Sequence, residues 1–276
     1  MNTEELMQIA LEMSAFEEIP ADSQIFVRGD NIKKILFGID VDSAGLLLAK
    51  QLNFDAVIAH HPPGDESRIY GIPEVMLRHI EQMKSVGISE KDAKKALEVR
   101  RGKIKRNYNV INYDKVTSVA RMLEIPFLNI HTPVDVITKN KFDEHINSFL
   151  SSNKNAKVSD LLESLNKIDE ISKGLTKPAL RIGDEESPVG KFFVQMSAGT
   201  NGGVAVARVY FKAGINTLIY MHLGEEDYKK LKKGKVKANL IVTGHMPSDS
   251  IGINIYIREL EKRGISVKRF SGVVAR

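Results

Sequence analysis

Short, wholly apolar runs alternate along this chain with longer stretches in which apolar side chains recur every three or four residues. The first kind reads as buried strands and the second as amphipathic helices. Leu6, Ile9, Ala10, Met13 and Phe16 predict a helix over 3–17. The run at 35–39 predicts a strand, 44–52 a helix, and 55–59 a second strand, a βαβ unit whose strands are parallel and whose carboxyl ends gather ligand groups. Val75, Leu77, Ile80 and Met83 predict a helix over 73–86, and 116–123 another. Residues 88–112 are strongly charged and read as a helical excursion with a basic tip, outside the main core. A strand over 125–130 is followed by helical segments over 139–173, broken by the polar stretch 151–155, which reads as the linker between halves.

The later part repeats the scheme. Strands are expected at 179–182, 191–196, 216–221, 238–244 and 265–270, with helices at 204–212, 225–233 and 248–262. Residues 34–135 and 191–249 thus echo each other, and the fold class is α/β, as two related α/β domains from a degenerate duplication. The expected division is 1–140, a helical linker region 141–175, and 176–276.

Several apolar runs end on histidine. The run Val57-Ile58-Ala59 leads into His60 and His61, 125–130 into His131, 216–221 into His222, and 238–244 into His245. Three of these ends share the spelling H-x-P-x-D: His61 to Asp65, His131 to Asp135, and His245 to Asp249. Imidazole and carboxylate delivered together to strand ends read as pieces of one composite metal site. A lone strand-end histidine is more often a hydrogen-bonded structural residue, but adjacent histidines at a proline turn weaken that alternative. A spacing of four puts both side chains on one helix face, and proline is tolerated in a first helical turn. Asp249 fits helix capping as well as metal ligation, whereas Asp40 fits capping of the next helix better than a place at the site rim.

Composition narrows the chemistry. At 276 residues, 42% hydrophobic and 27% charged, the chain is ordinary for a globular protein and long enough for one large or two smaller domains. No apolar stretch approaches a membrane span, and the acidic start shows no signal peptide, so a cytoplasmic protein is expected. With no cysteine, any metal must be held by His, Asp, Glu or backbone oxygen. The net charge of +5 includes basic runs at 100–106 and 229–237, which fit either solvated helix ends or attraction of phosphorylated ligands or nucleic acid. The loop Ser197-Ala198-Gly199-Thr200-Asn201-Gly202-Gly203 stands between strand and helix. Gly199, Thr200 and Gly202 are its candidate anion or substrate contacts, with tight helix packing an equal alternative.

Val57-Ile58-Ala59-His60-His61-Pro62, Asn129-Ile130-His131-Thr132-Pro133-Val134-Asp135, Ser197-Ala198-Gly199-Thr200 and Val242-Thr243-Gly244-His245 with Asp249 resemble, in that order, the Nif-three-like dinuclear metal family. Its members are also filed as GTP cyclohydrolase I type 2 homologues. The resemblance implies two related α/β domains with a metal site in the cleft between them and a ring-shaped homohexamer. It implies His60, His61, Asp135, His245 and Asp249 as ligands, with aspartate at 249 where the family usually has glutamate. His131 is then a site residue outside the ligand set, a proton donor or acceptor or an orienting group for Asp135; His222 and Asp65 fall outside the ligand set. The implied cofactors are two divalent transition-metal ions: zinc, manganese, iron, cobalt or nickel. The expected function is a metal-dependent hydrolase, cyclohydrolase-like or phosphoester-hydrolase-like, acting on a nucleotide or phosphorylated small molecule. The other expectation is a metal-stabilised ring-shaped scaffold, regulatory or nucleic-acid-binding, without turnover.

Overall fold

A computed structural model describes residues 1–234 and 236–274. In chain order the elements are α1 (Thr3–Ser14), β1 (Gln24–Val27), β2 (Lys34–Gly38), α2 (Ser43–Gln51), β3 (Ala56–Ala59), a π-helical turn (Ser67–Gly71), α3 (Ile72–Val75), α4 (Arg78–Lys84), α5 (Glu90–Tyr108), α6 (Thr117–Leu123), β4 (Phe127–Asn129) and α7 (Thr132–Ser152). There follow α8 (Val158–Leu165), α9 (Asp169–Lys173), β5 (Ala179–Ile182), β6 (Phe192–Val194), α10 (Gly203–Lys212), β7 (Thr217–Tyr220), α11 (Glu225–Lys233), β8 (Asn239–Val242), α12 (His245–Lys262) and β9 (Ser266–Phe270). The expected α/β class is what the chain forms.

Two compact units result. One comprises 1–75, 105–137 and 249–275, and the other 76–104 and 138–248. The first holds a sheet of order β1-β4-β3-β2-β9, with β1 antiparallel to β4 and the remaining pairs parallel. Its core includes Leu36, Leu46, Val57, Ala59, Ala120 and Phe127 at full or nearly full burial. The second holds a sheet of order β5-β8-β7-β6, with β5 antiparallel to β8 and the other pairs parallel. Leu218, Ile219, Leu240 and Ile241 are wholly buried there. Strands buried on both faces carry the near-continuous apolar runs that parallel sheets require.

Three expectations about organisation need correction. The polar stretch 151–155 falls between α7 and α8 inside the second unit, so it joins two helices rather than two halves. The last strand does not close the C-terminal half: β9 pairs with β2, placing residues 249–275 with the N-terminal segments. The charged segment 88–112 does form a helix, but α5 buries Ala93, Ala96 and Leu97, so it is packed rather than an excursion. The moment of its few small apolar residues is hard to see among so many charges. Its basic positions are partly neutralised, with Arg100 against Asp227 at 3.5 Å and Lys103 against Glu226 at 3.4 Å. In the other basic run, Lys235 lies outside the described residues. No described helix is long and apolar enough to cross a membrane.

Candidate metal centre

The centre of interest lies at the carboxyl ends of β2, β3 and β4, three adjacent strands of one parallel set. β2 ends before Asp40, β3 before His60 and His61, and β4 before His131. The chain bends as it leaves β3 at His60 and His61, held to the end of β2 by the His60 N–H, which donates to the Gly38 carbonyl at 2.9 Å, and the His61 N–H, which donates to the Ile39 carbonyl at 3.0 Å.

Each of the three imidazoles is anchored through Nδ1. His60 Nδ1 lies 3.1 Å from the Ile130 carbonyl oxygen. A carbonyl only accepts, so Nδ1 carries the proton and Nε2 the lone pair. His61 Nδ1 lies 2.8 Å from Asp40 Oδ1, and His131 Nδ1 lies 2.6 Å from Asp22 Oδ2. Acceptors on all three Nδ1 atoms turn three Nε2 atoms toward one place. His60 is fully buried, and its Nε2 has no hydrogen-bond partner.

Two carboxylates meet those nitrogens. Asp135 Oδ1 lies 3.4 Å from His60 Nε2, and Asp135 Oδ2 lies 3.8 Å from His131 Nε2. Asp249 stands 3.9 Å from His60 Nε2 through Oδ1 and 3.4 Å from His61 Nε2 through Oδ2. Ligand atoms of His60, His61 and His131 lie within 4.8 Å of one another, as do those of His60, Asp135 and Asp249. Asp135 and Asp249 are 6% and 1% exposed, burial that a carboxylate tolerates only beside a compensating positive charge or full hydrogen bonding. With a solvent-shielded imidazole nitrogen and Asp135 Oδ1 both lacking hydrogen-bond partners, the group could hold a metal ion.

The electrostatics agree. Burial by itself pushes the His61 imidazole down, but hydrogen bonding and charge from Asp249 and Asp40 outweigh it and raise the pKa to about 10. His131 is likewise pushed down by burial and raised on balance by Asp135 and Asp22. In the metal-free protein, protons on these imidazoles supply the positive charge that the carboxylates demand.

The H-x-P-x-D spelling has two structural meanings. At the second and third copies it is the strand-to-helix turn. The Asp135 N–H donates to the His131 carbonyl at 3.0 Å, opening α7, and His245 is the first residue of α12. Both pairs are therefore separated by about one helical turn. Helix α12 begins three residues earlier than expected, which removes capping as an account of Asp249. The reversal before α12 needs Gly244, at φ +93°, where a Cβ would also lie 2.5 Å from Thr176 Oγ1. The first copy is different. Asp65 accepts from the Thr117 hydroxyl at 2.7 Å and pairs with Arg121 at 2.8 Å, a tie between loop and α6 rather than a ligand.

Two carboxylates escape a reading from spacing. Asp40 does not cap α2. Asp42 does, accepting from the Gly45 N–H at 2.9 Å, and Asp40 instead orients His61. Asp22, wholly buried, was not singled out by any motif. It precedes the edge strand β1, which pairs antiparallel with β4 through Gln24 and Asn129, so the start of β1 lies beside His131.

The His222 and His245 rings lie in contact, with centroids 4.5 Å apart and planes tilted by 41°. In the glycine loop, the N–H groups of Thr200, Gly202 and Gly203 donate to the Ala198 carbonyl at 2.8 Å, the Thr200 hydroxyl at 3.2 Å and the Asn201 side chain at 3.0 Å. The loop thus satisfies three of its own donors. From below it is held by Arg78 Nε, which donates to the Ser197 carbonyl at 2.8 Å, and by Gln82, which donates to the Met196 carbonyl at 2.8 Å.

No protein-family model matches the chain, and no curated protein sequence does. Among solved structures, the chain is similar to a NIF3 superfamily protein from Sphaerobacter thermophilus, with 40% identity over 99% of this chain and 98% of that one and a TM-score of 0.95. It is also similar in fold to reduced HcgD from Methanocaldococcus jannaschii, with 13% identity over 98% of this chain and 97% of that one and a TM-score of 0.60. The protein ybgI, described as of unknown function, matches with 16% identity over 98% of each chain and a TM-score of 0.52. Identity of 40% sustained across the whole length, together with the same fold, places this chain in the NIF3 superfamily.

Proposed function

We propose that this protein holds two divalent transition-metal ions on His60, His61, Asp135, His245 and Asp249, and that it is a hydrolase acting on a nucleotide or other phosphorylated small molecule. The observation that carries the reading is the convergence of Nε2 atoms. Hydrogen bonds from Nδ1 to a carbonyl or a carboxylate orient His60 and His61, and the two Nε2 atoms meet buried Asp135 and Asp249. His245 joins the set by its place one turn before Asp249 on α12 and by the family resemblance. Nitrogen and oxygen donors without thiolate suit zinc, manganese, iron, cobalt or nickel.

Two such ions would supply Lewis-acid polarisation of a substrate oxygen and an acidified water at neutral pH, the chemistry of hydrolysis. The protein residues do the rest. Asp135 and Asp249 balance the cationic charge, and Asp40 keeps His61 in one tautomer. A substrate phosphate at Gly199, Thr200 and Gly202 would replace the Thr200 hydroxyl on the Gly202 N–H, at the amino end of α10, where the helix dipole favours an anion. A homo-oligomer, hexameric by the family resemblance, is the expected assembly.

The test is a panel of nucleotides and phosphoesters, including purine nucleotides open to ring hydrolysis, presented to metal-loaded protein. Turnover that disappears on chelation and in His60→Ala and His245→Ala is expected. Two bound ions with no turnover of any member would instead favour the metal-stabilised scaffold.

A further inference from the structure

Asp22 is wholly buried, and most of what surrounds it fixes its place. Its carboxylate Oδ2 accepts from His131 Nδ1 at 2.6 Å and from the Thr132 hydroxyl at 2.7 Å. Its backbone carbonyl accepts from Asn129 Nδ2 at 2.7 Å, and the neighbouring Ser23 hydroxyl accepts the His131 N–H at 3.0 Å. On the other side Gly71 leaves no room, since a Cβ there would lie 2.1 Å from the Ala21 carbonyl oxygen and 2.8 Å from Asp22 Cα. Burying a carboxylate so completely is costly, and here the cost is offset by the hydrogen bonds it accepts from His131 and Thr132.

The Thr132 hydroxyl ties Asp22 to the first residue of α7, but that tie leaves the His131 bond without a purpose. With Nδ1 committed to Asp22, the Nε2 lone pair of His131 is turned into the group formed with His60 and His61, whose ligand atoms all lie within 4.8 Å of one another. His131 repeats the arrangement of its two neighbours: Nδ1 bonded to an oxygen acceptor, Nε2 facing the centre. Resting on the metal reading above, we infer that His131 is a further metal ligand and that Asp22 is the positioning residue that presents it. A carboxylate behind a ligating imidazole fixes its tautomer and raises its basicity.

Three measurements on purified full-length protein test this. Zinc affinity by chelator competition is expected to fall about 10- to 100-fold in Asp22→Ala and in His131→Ala. The double variant should bind no more weakly than His131→Ala alone, because Asp22 acts through that ring. In metal-free protein, imidazole ¹⁵N shifts should show His131 protonated at Nδ1 with Nε2 as the unprotonated nitrogen above its titration range, and a mixture of tautomers in Asp22→Ala. If the alanine variant does not fold, Asp22→Asn keeps an acceptor oxygen and should show a smaller loss of affinity with the tautomer retained. Wild-type affinity in His131→Ala overturns the inference while leaving the metal reading intact. So do losses that multiply in the double variant, or a loss of thermal stability with neither affinity nor tautomer changed. A wild-type protein that binds no zinc overturns both.

Discussion

At the scale of single residues, the site depends on which oxygen each imidazole faces. Asp40 and Asp42 stand two positions apart and do different work, one against His61 and the other capping α2. Asp40→Ala should weaken metal binding about tenfold with little change in folding. Asp42→Ala should cost about 1 kcal/mol of stability and leave metal affinity alone. Chelator competition and urea denaturation on the two variants separate these roles; equal effects on affinity would contradict them. His79 makes an independent prediction. It is wholly buried, and burial pushes its imidazole down to about 4 from an ordinary 6.5. The unfolded chain then takes up a proton near pH 6.5 that the folded chain refuses until about pH 4. The contribution is present in full above pH 6.5 and is lost on acidification toward pH 4, to the extent of about 3 kcal/mol. His79→Gln should lack that part of the acid sensitivity, which urea denaturation at pH 7 and 4.5 would show.

Among the elements, the strand-to-helix turns were the legible part. Apolar runs ending on histidine locate β3, β4 and β8, and the proline of H-x-P-x-D is in place because the second and third copies open α7 and α12. What spacing does not disclose is that in the first copy the helical run begins only at Asp65, four residues after His61, so Asp65 turns to Thr117 and Arg121. Asp22 was hidden for a related reason. It reaches His131 only because β1 runs antiparallel beside β4, a pairing between residues about a hundred positions apart that no local pattern records. The π-helical turn Ser67–Gly71 matters through this same corner. Gly71→Ala would press a Cβ against the Ala21 carbonyl, and a backbone neighbour cannot yield as a side chain can. It should destabilise the protein by about 2 kcal/mol, within the range of overpacking, and loosen metal binding by displacing Asp22. Thermal melts of metal-free protein with zinc titration check both effects; a stability loss without any change in affinity would separate Gly71 from the site.

Across the whole molecule, the α/β class and the family were readable from motif order, while the division of the chain was not. Residues 249–275 join the N-terminal segments because β9 finds its partner in β2, the first strand after β1. Sequence distance carries no sign of that closure, and the polar break at 151–155 marks only a turn between helices. Asp249 is placed by this closure, in the same unit as His60, His61, His131 and Asp135. The residues gathered there come from three separated stretches of chain, and three imidazoles and two buried carboxylates meet in two groups that share His60. The metal reading rests on that convergence. Its test is elemental analysis of protein purified without chelator and without a histidine tag. Two transition-metal ions per chain, falling in His60→Ala and Asp249→Ala, is the predicted result; protein that holds no transition metal even after reconstitution would contradict it.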